Sequence, residues 1–297
     1  MSILISSEVL LNWYQQAKKK LIIEDISLFE LEYLLTELTE LTSLDLRLNS
    51  SSQKIHINSK ISLTELQNLW YLRVKKRCPI QYLIGECHWR NFTLKVTPDV
   101  LIPRPETELI IDLALQLTLK YPPLQLANWL DLGTGSGAIA IGLADVLPLA
   151  TIYAVDKSEK ALKIAQENSL NLGYKSRIKF YHGSWFNPIN ELKNSLSVII
   201  SNPPYIPSKM VLELQPEVVN YEPKIALDGG EDGLNEIRYL IKNAPNFLIT
   251  NGFLLLEIMA EQDDIVKDLL TKNGSYTNIN TYKDLEGIDR FVMAQCH

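Results

Sequence analysis

From residue 127 onward, short apolar segments alternate with segments of helical periodicity, and this alternation constrains the fold more than any other feature. The predicted strands are residues 127–131, 151–156, 178–181, 196–201 and 253–258, and the predicted helices are 105–121, 138–146, 158–172 and 234–247. Strands that alternate with helices form a parallel sheet covered on both faces. Residues 276–282 and 290–295 predict two further strands that close this sheet.

The first 84 residues lack this alternation and predict helices only. Apolar residues recur there at helical spacing, as in Leu10, Trp13, Tyr14 and Ala17. Two capping boxes, Ser27-x-x-Glu30 and Ser62-x-x-Glu65, mark helix starts, and the polar stretch 49–53 predicts a loop between them. The pattern predicts a small helical bundle without catalytic residues of its own.

Together these patterns predict an α/β protein with a small all-helical N-terminal domain. The expected boundaries are 1–84 for the helical domain, 85–105 for a linker with short strands, and 106–297 for the sheet domain. Residues 92–96 alternate apolar and polar side chains, which is typical of a strand with one buried face.

Composition excludes several classes of protein. The formal net charge of −6 lacks the basic excess of proteins that bind nucleic acid directly. No apolar run approaches the roughly 20 residues of a membrane span, and the first 20 residues lack signal-peptide features, so we expect a cytoplasmic protein without membrane contact. Three cysteines without C-x-x-C spacing and four scattered histidines imply neither disulfides nor a metal site.

A glycine-rich loop lies between the first strand and first helix of the alternating region. It comprises Gly133, Thr134, Gly135, Ser136 and Gly137. Asp156 ends the next predicted strand, at about the 20-residue distance at which a carboxylate accepts from both ribose hydroxyls of a nucleotide. The spacing predicts a nucleotide-containing cofactor at the carboxyl ends of the strands.

The glycines alone do not choose the cofactor, because Gly133-x-Gly135-x-x-Ala138 also fits a dinucleotide fingerprint. Asp131, just before the loop, would repel a pyrophosphate but suits the positively charged amino-acid end of S-adenosylmethionine. This favours a methyl donor, although Asp131 also fits an ordinary turn at a strand end.

A second motif, Asn202, Pro203, Pro204 and Tyr205, follows the predicted strand 196–201; we call it the tetrapeptide. Two successive prolines donate no hydrogen bond and keep the backbone extended, which leaves the Asn202 side chain and the Pro203 carbonyl as fixed acceptors. Such a pair suits a planar NH2 group, on whose face the Tyr205 ring could pack.

With these motifs, the chain resembles the class I S-adenosylmethionine methyltransferases, and more closely the protein-glutamine N5-methyltransferases that act on peptide chain release factors. The resemblance also includes Pro79-x-Gln81-Tyr82-x-x-Gly85, the segment 101–108, Tyr221-Glu-Pro223 and the segment 228–234. It implies a Rossmann-like sheet and N5-methylation of the glutamine in a Gly-Gly-Gln segment. Because a bundle without catalytic residues precedes a complete methyltransferase core, we further predict that the helical domain selects the protein substrate.

The resemblance also assigns roles to individual residues. It implies that the glycine loop, Asp156, Trp185 and Asn202 contact the cofactor and that the tetrapeptide holds the glutamine. We predict that Asn202 and Pro203 are catalytic, because their two acceptors would hold both N–H bonds of the amide and aim its nitrogen at the methyl group. Two positions depart from the family pattern: Ser184 replaces a frequent acid, and Met259 replaces a glycine.

Several alternatives stay open at this point. An adenine-N6 methyltransferase acting on nucleic acid would also use an acceptor pair for an NH2 group. The sequence separates poorly a glutamine methyltransferase that acts on a ribosomal protein. A non-catalytic nucleotide-binding or interaction module, whose helical domain binds a partner, is a third alternative, and the presence of the tetrapeptide argues against it. Arg104, Glu106 and Glu108 either begin a helix or line the substrate entrance, and Asp228-Gly-Gly is either a turn or part of that entrance.

Overall fold

The computed structural model describes residues 3–48 and 55–297, so the predicted loop 49–53 lies outside the described residues. The chain divides into two compact units. The first comprises Met1–Gly85 together with Pro216–Tyr221, and the second comprises Glu86–Gln215 and Glu222–His297. The short segment 216–221 therefore belongs to the first unit although it lies far along the chain.

The first unit is mainly helical. Its helices are α1 (Ser7–Glu24), α2 (Leu28–Leu38), α3 (Ser43–Leu48), α4 (Leu63–Lys76), α5 (Ile80–Ile84) and α10 (Pro216–Tyr221). Fully buried side chains such as Leu10, Leu31 and Leu66 form one core. The prediction of helices alone is wrong in one respect, because β1 (Ile3–Ser6) pairs antiparallel with β2 (His56–Ser59). Each of these strands has only four residues, too few for a clear alternating pattern.

The two predicted capping boxes differ in outcome. The box at Ser62 and Glu65 is present, with both reciprocal hydrogen bonds. Ser27 does cap α2, but it accepts from the Phe29 amide, and Glu30 forms an ion pair with Arg73 instead. Arg73 is buried and also binds Glu217 of α10 at 2.8 Å. A buried guanidinium needs carboxylate partners, and this requirement outweighs the local capping bond of Glu30.

The second unit contains a seven-stranded sheet. Its strands are β5 (Asn128–Leu132), β6 (Thr151–Asp156), β7 (Ile178–His182), β8 (Leu196–Ser201), β9 (Leu248–Glu257), β10 (Tyr276–Lys283) and β11 (Asp289–Cys296). Their order across the sheet is β10-β11-β9-β8-β5-β6-β7. Strands β9, β8, β5, β6 and β7 are parallel, whereas β11 is antiparallel to β9 and β10. The predicted parallel sheet with two closing strands is confirmed.

A hairpin and six helices complete the described part of this unit. The hairpin consists of β3 (Glu86–Trp89) and β4 (Phe92–Lys95). The helices are α6 (Leu109–Lys120), α7 (Ala138–Val146), α8 (Glu159–Asn171), α9 (Ser208–Val211), α11 (Asn235–Asn243) and α12 (Asp263–Asn273). The helix predicted from residue 105 begins with a short 3-10 turn, Glu106–Glu108, which is common at helix starts.

The core of the second unit lies on both faces of the sheet. Adjacent residues of β5, Trp129 and Leu130, belong to two separate apolar clusters because successive side chains of a strand point to opposite faces. Burial on both faces explains why the parallel strands are nearly continuous apolar runs in the sequence.

Candidate active site

Four neighbouring parallel strands end at one edge of the sheet, in the order β9, β8, β5 and β6. Glu257 ends β9, Asn202 follows β8, the glycine loop follows β5, and Asp156 ends β6. The structure therefore brings the two predicted motifs together at the carboxyl edge, the usual ligand-binding edge of an open parallel sheet. In the part of the chain that the structure describes, no His, Cys, Asp or Glu group has the arrangement of a metal site.

The glycine loop is anchored from beneath by Asp131. The Asp131 Oδ2 atom accepts from the Thr134 hydroxyl at 2.6 Å and from the Ala140 amide at 3.1 Å. Asp131 is fully buried, and burial raises its pKa to about 7. Its Oδ1 atom is buried and has no hydrogen-bond partner among the described residues. Asp131 thus shapes the loop, and one of its oxygens still lacks a donor.

Asp156 is bonded directly to the glycine loop. One carboxylate oxygen accepts from the Gly135 amide at 2.8 Å, and the other accepts from the Ser158 amide at 2.8 Å. Burial raises the pKa of Asp156 above its ordinary value. Because each carboxylate oxygen can accept more than one hydrogen bond, the acid retains capacity for ribose hydroxyls. Its ribose contact stays a prediction.

A cavity of about 370 Å³ opens beside these groups, a volume in the range of small-molecule sites. The predicted residues that line it are Gly133, Gly135, Asp156, Trp185, Asn202 and Pro204. Ser184, one of the two departures from the family pattern, also lines it. Six predicted residues, from the ends of the four strands β5, β6, β7 and β8, therefore face one cavity.

The other predicted residues lie behind this lining. Thr134 and Ser136 are buried in the loop, and Gly137 caps α7 with a left-handed φ of 87°. Pro203 is buried, and the Tyr205 ring packs against the core of the second unit. These residues support the cavity wall in the structure, and their direct ligand contacts stay predictions.

Trp185 lies against the glycine loop with its indole edge tied in place. Its Nε1 atom donates to Glu236 Oε2 at 2.6 Å, and an added Cβ at Gly133 would lie 3.5 Å from its ring. Glu236, on α11, also lines the cavity. Sequence reasoning missed Glu236, because 51 residues separate it from Trp185 and no local pattern links them.

The tetrapeptide is held by a hydrogen-bond network. Asn202 Nδ2 donates to the Thr107 hydroxyl at 3.2 Å, and that hydroxyl donates to Glu257 Oε2 at 2.7 Å. The Tyr205 hydroxyl donates to the other Glu257 oxygen at 3.1 Å. Burial raises the pKa of the fully buried Glu257 to about 7. A single carboxylate thus bridges both ends of the tetrapeptide.

Sequence reasoning missed Thr107 and Glu257 as well. Thr107 lies within the 101–108 motif, but no local pattern distinguishes this uncharged residue as part of the site. Glu257 lies at the carboxyl end of β9, and an acid at that position of a parallel strand was the available signal.

The 228–234 segment packs against the backbone of the tetrapeptide. The Ile206 amide donates to Leu227 O, and the Gly229 amide donates to Ile206 O. A Cβ at Gly229 would lie 2.8 Å from Pro204 O, so no larger residue fits there without a shift. Ser208 donates to Asp228 Oδ1 at 2.6 Å. Asp228 pairs with Ile206 in an isolated parallel bridge, so this segment supports the chain that follows the tetrapeptide.

Two charged residues of the 101–108 motif, Arg104 and Glu108, form internal contacts. Arg104 Nη2 donates to both carboxylate oxygens of the buried Glu222, at 2.9 and 2.8 Å. Glu108 accepts from the Arg90 amide at 3.0 Å. These contacts connect the start of α6 to neighbouring segments, so helix initiation alone does not account for the charges.

Met259 lies in a turn that also supports the tetrapeptide. Its amide donates to Gln262 Oε1 at 3.1 Å, and Gln262 Nε2 donates to Tyr205 O at 3.0 Å. Because this contact uses the Met259 backbone, the departure from glycine leaves it in place.

Comparisons with known proteins agree with this geometry. The family described as "Methyltransferase domain" matches residues 125–287. The release factor glutamine methyltransferase of Synechocystis sp. is 44% identical over 98% of this chain and 97% of its own. That of Thermosynechococcus vestitus is 45% identical over 98% and 99%. This chain belongs to the release factor glutamine methyltransferase family.

A solved structure supports the fold. The hMettl16 catalytic domain in complex with MAT2A 3′UTR hairpin 6 has a TM-score of 0.57 and 12% identity, over 88% of this chain and 91% of that chain. At this identity the likeness concerns the fold alone. The predicted methyltransferase fold, the enzyme class and S-adenosylmethionine as the cofactor of this family member are confirmed.

The residues present fit S-adenosylmethionine. The left-handed Gly133 and Gly135 leave the loop without side chains beside the cavity. Asp99, Asp156 and Glu236 place carboxylates around it, which suits a ligand that carries a sulfonium and an ammonium group.

Proposed function

We propose that this chain transfers a methyl group from S-adenosylmethionine to the side-chain amide nitrogen of the glutamine in a Gly-Gly-Gln segment of a peptide chain release factor. The observation that carries the proposal is near full-length similarity to relatives that bear this activity in their names. The cavity supports it, because Asn202 and Pro204 of the tetrapeptide line the same space as the glycine loop.

In this proposal the cofactor lies along the cavity wall formed by β5 and β6. Asp156 accepts from the ribose hydroxyls, the backbone of the glycine loop contacts the amino-acid end, and Trp185 packs beside Gly133. S-adenosylmethionine supplies an electrophilic methyl group on its sulfonium. Asp131 supports the loop from beneath through its bonds to Thr134 and Ala140.

The tetrapeptide holds the acceptor. A glutamine amide nitrogen is a poor nucleophile, because its lone pair is delocalised into the carbonyl group. Asn202 Oδ1 and the Pro203 carbonyl would accept its two N–H bonds and turn the lone pair toward the methyl group. Positioning of this kind contributes roughly 7 to 11 kcal/mol. The proton leaves after transfer, when the nitrogen has become acidic, and water accepts it.

Two rival substrates have less support. An adenine-N6 acceptor on nucleic acid would suit the same pair of oxygens, but the chain has a net charge of −6. A ribosomal-protein glutamine would suit the site equally well, and the names of the relatives favour the release factor.

We further propose that the protein acts in the cytoplasm, where translation takes place. No helix in residues 3–48 and 55–297 is long and apolar enough to span a membrane.

We also propose that the helical unit selects the protein substrate. It forms its own core, and none of its described residues, within 3–48 and 55–85, lines the cavity. A chain that begins at Glu86 should bind cofactor within about 3-fold of the full chain and fail to methylate intact release factor. The shortened chain keeps α10 but lacks Arg73, which binds Glu217 of α10 in the full chain. Full-length Glu217→Ala loses the same ion pair and therefore serves as the control. Equal methylation by the shortened and full chains would refute the recognition role.

The direct test of the proposed function uses labelled S-adenosylmethionine. The purified chain is incubated with release factor, with a release factor whose Gly-Gly-Gln glutamine is replaced by alanine, with ribosomal proteins and with duplex DNA. We expect label in the first mixture only, mapped by peptide analysis to the glutamine. Label in DNA adenine or in a ribosomal protein, with the release factor unlabelled, would refute the proposal.

A further inference from the structure

The hydrogen-bond network beneath the tetrapeptide has a defined direction. Thr107 and Glu257 are 4% and 0% exposed, so water does not compete for their contacts. Glu257 accepts from Thr107 at 2.7 Å and from Tyr205 at 3.1 Å, which engages both carboxylate oxygens. In its ionised form Glu257 only accepts hydrogen bonds, so the single hydroxyl hydrogen of Thr107 then points to Glu257.

This direction determines what Thr107 offers to Asn202. With its hydrogen used, the Thr107 oxygen presents a lone pair, and a lone pair requires a donor. The amide of Asn202 therefore turns its NH2 group toward Thr107, at 3.2 Å. The carbonyl oxygen lies on the opposite arm of the same planar amide, so Asn202 Oδ1 must face the other way.

The environment of Asn202 Oδ1 agrees with this orientation. No described residue donates to it, and it is not one of the buried side-chain oxygens that lack a partner. Asn202 is half-buried and lines the cavity. Its carbonyl oxygen is thus an accessible acceptor at the cavity wall, next to Pro204.

We propose that Thr107 and Glu257 are positioning residues that lock the Asn202 side chain with its carbonyl oxygen toward the substrate. The lock selects a substrate that donates a hydrogen bond and rejects one that only accepts. An unlocked amide would also present its NH2 group, which fits a carboxylate. The inference rests on the proposed function only for the identity of the donor, a glutamine amide; the orientation itself follows from the network.

The first test compares two substitutions of Thr107. Thr107→Val keeps the branched shape and removes the hydroxyl, whereas Thr107→Ser keeps the hydroxyl. The assay is run at about pH 8.5, which lies above the pKa of about 7 that burial gives Glu257, so that Glu257 is ionised. We expect Thr107→Val to lower kcat for release factor about 5-fold to 30-fold, the effect of one buried hydrogen bond. Thr107→Ser should stay within about 3-fold of wild type.

Two readouts separate positioning from general damage. Calorimetry should give cofactor Kd values within about 3-fold of each other for the two variants, because Thr107 does not line the cavity. A release factor with glutamate in place of the acceptor glutamine should inhibit wild type and Thr107→Ser poorly, and Thr107→Val at least several-fold better. Equal kcat and equal inhibition in the two variants would overturn the inference.

A structural readout does not depend on activity. Neutron diffraction from crystals exchanged into D2O at about pH 8.5, where Glu257 is ionised, distinguishes the ND2 group of Asn202 from its oxygen. We expect the deuterons of Asn202 to face Thr107 and the deuteron of Thr107 to face Glu257. The opposite orientation would overturn the inference. If wild type leaves the release factor unmethylated, the proposed substrate is wrong. The neutron density still shows the orientation of the Asn202 amide, so the inference is tested separately.

Discussion

Replacement of Asp156 by alanine should weaken S-adenosylmethionine binding about 10-fold to 150-fold. In the structure this carboxylate accepts from the Gly135 and Ser158 amides and lines the cavity. The substitution removes the proposed ribose acceptor and also leaves the Gly135 amide without its partner. Loss of a hydrogen bond to a charged group costs about 1.5 to 3 kcal/mol, which corresponds to this range.

Two further variants refine the measurement. Asp156→Asn keeps the shape, but its NH2 group would face one of the two backbone donors, so it should also weaken binding. Asp145→Asn is the matched control, because Asp145 is an exposed acid on α7 outside the cavity lining. Calorimetric titration gives each Kd, and thermal denaturation confirms folding. A Kd for Asp156→Ala equal to that of wild type would refute the ribose assignment.

Three other predictions follow from buried or cavity-lining contacts. The pKa of Glu257 rises from an ordinary value near 4.5 to about 7 on folding, so its contribution to stability is present below pH 4.5 and lost as pH rises through 7. Glu257→Gln should remove about 3 kcal/mol of this pH dependence in urea denaturation, and unchanged dependence would contradict it. Trp185→Phe, which loses the bond to Glu236, should raise the cofactor Kd about 3-fold to 10-fold; an unchanged Kd would count against that contact. Glu217→Ala removes one carboxylate from buried Arg73 and should cost about 3 kcal/mol of unfolding free energy; a loss below about 0.5 kcal/mol would contradict this.

Local patterns predicted most of the sheet. Three predicted elements have the bounds observed in the structure: α7 at 138–146, β6 at 151–156 and β8 at 196–201. Their apolar runs are long enough to show a period, and turn residues separate them. The strand predicted from residue 253 begins at Leu248 in the structure. The prediction missed its first half because Thr250, Asn251 and Gly252 interrupt the apolar run.

Contacts between distant parts of the chain were not predicted. β1 and β2 pair across more than 50 residues, and each is too short to show alternation. Thr107 and Glu257 are 150 residues apart, and only the folded sheet brings them together. The glycine loop and the tetrapeptide were found because their chemistry is concentrated in a few consecutive residues. Their supporting side chains are dispersed and carry no such local signal.

The measurement that tests the central claim most directly is mass spectrometry of release factor after reaction with wild type and with Asn202→Ala. Wild type should add one methyl group, located on the glutamine of the Gly-Gly-Gln segment. Asn202→Ala, which lacks the acceptor oxygen, should show turnover lower by roughly 100-fold to 1,000-fold with intact folding. Full activity of Asn202→Ala, or a wild-type protein that leaves this glutamine unmodified, would contradict the account.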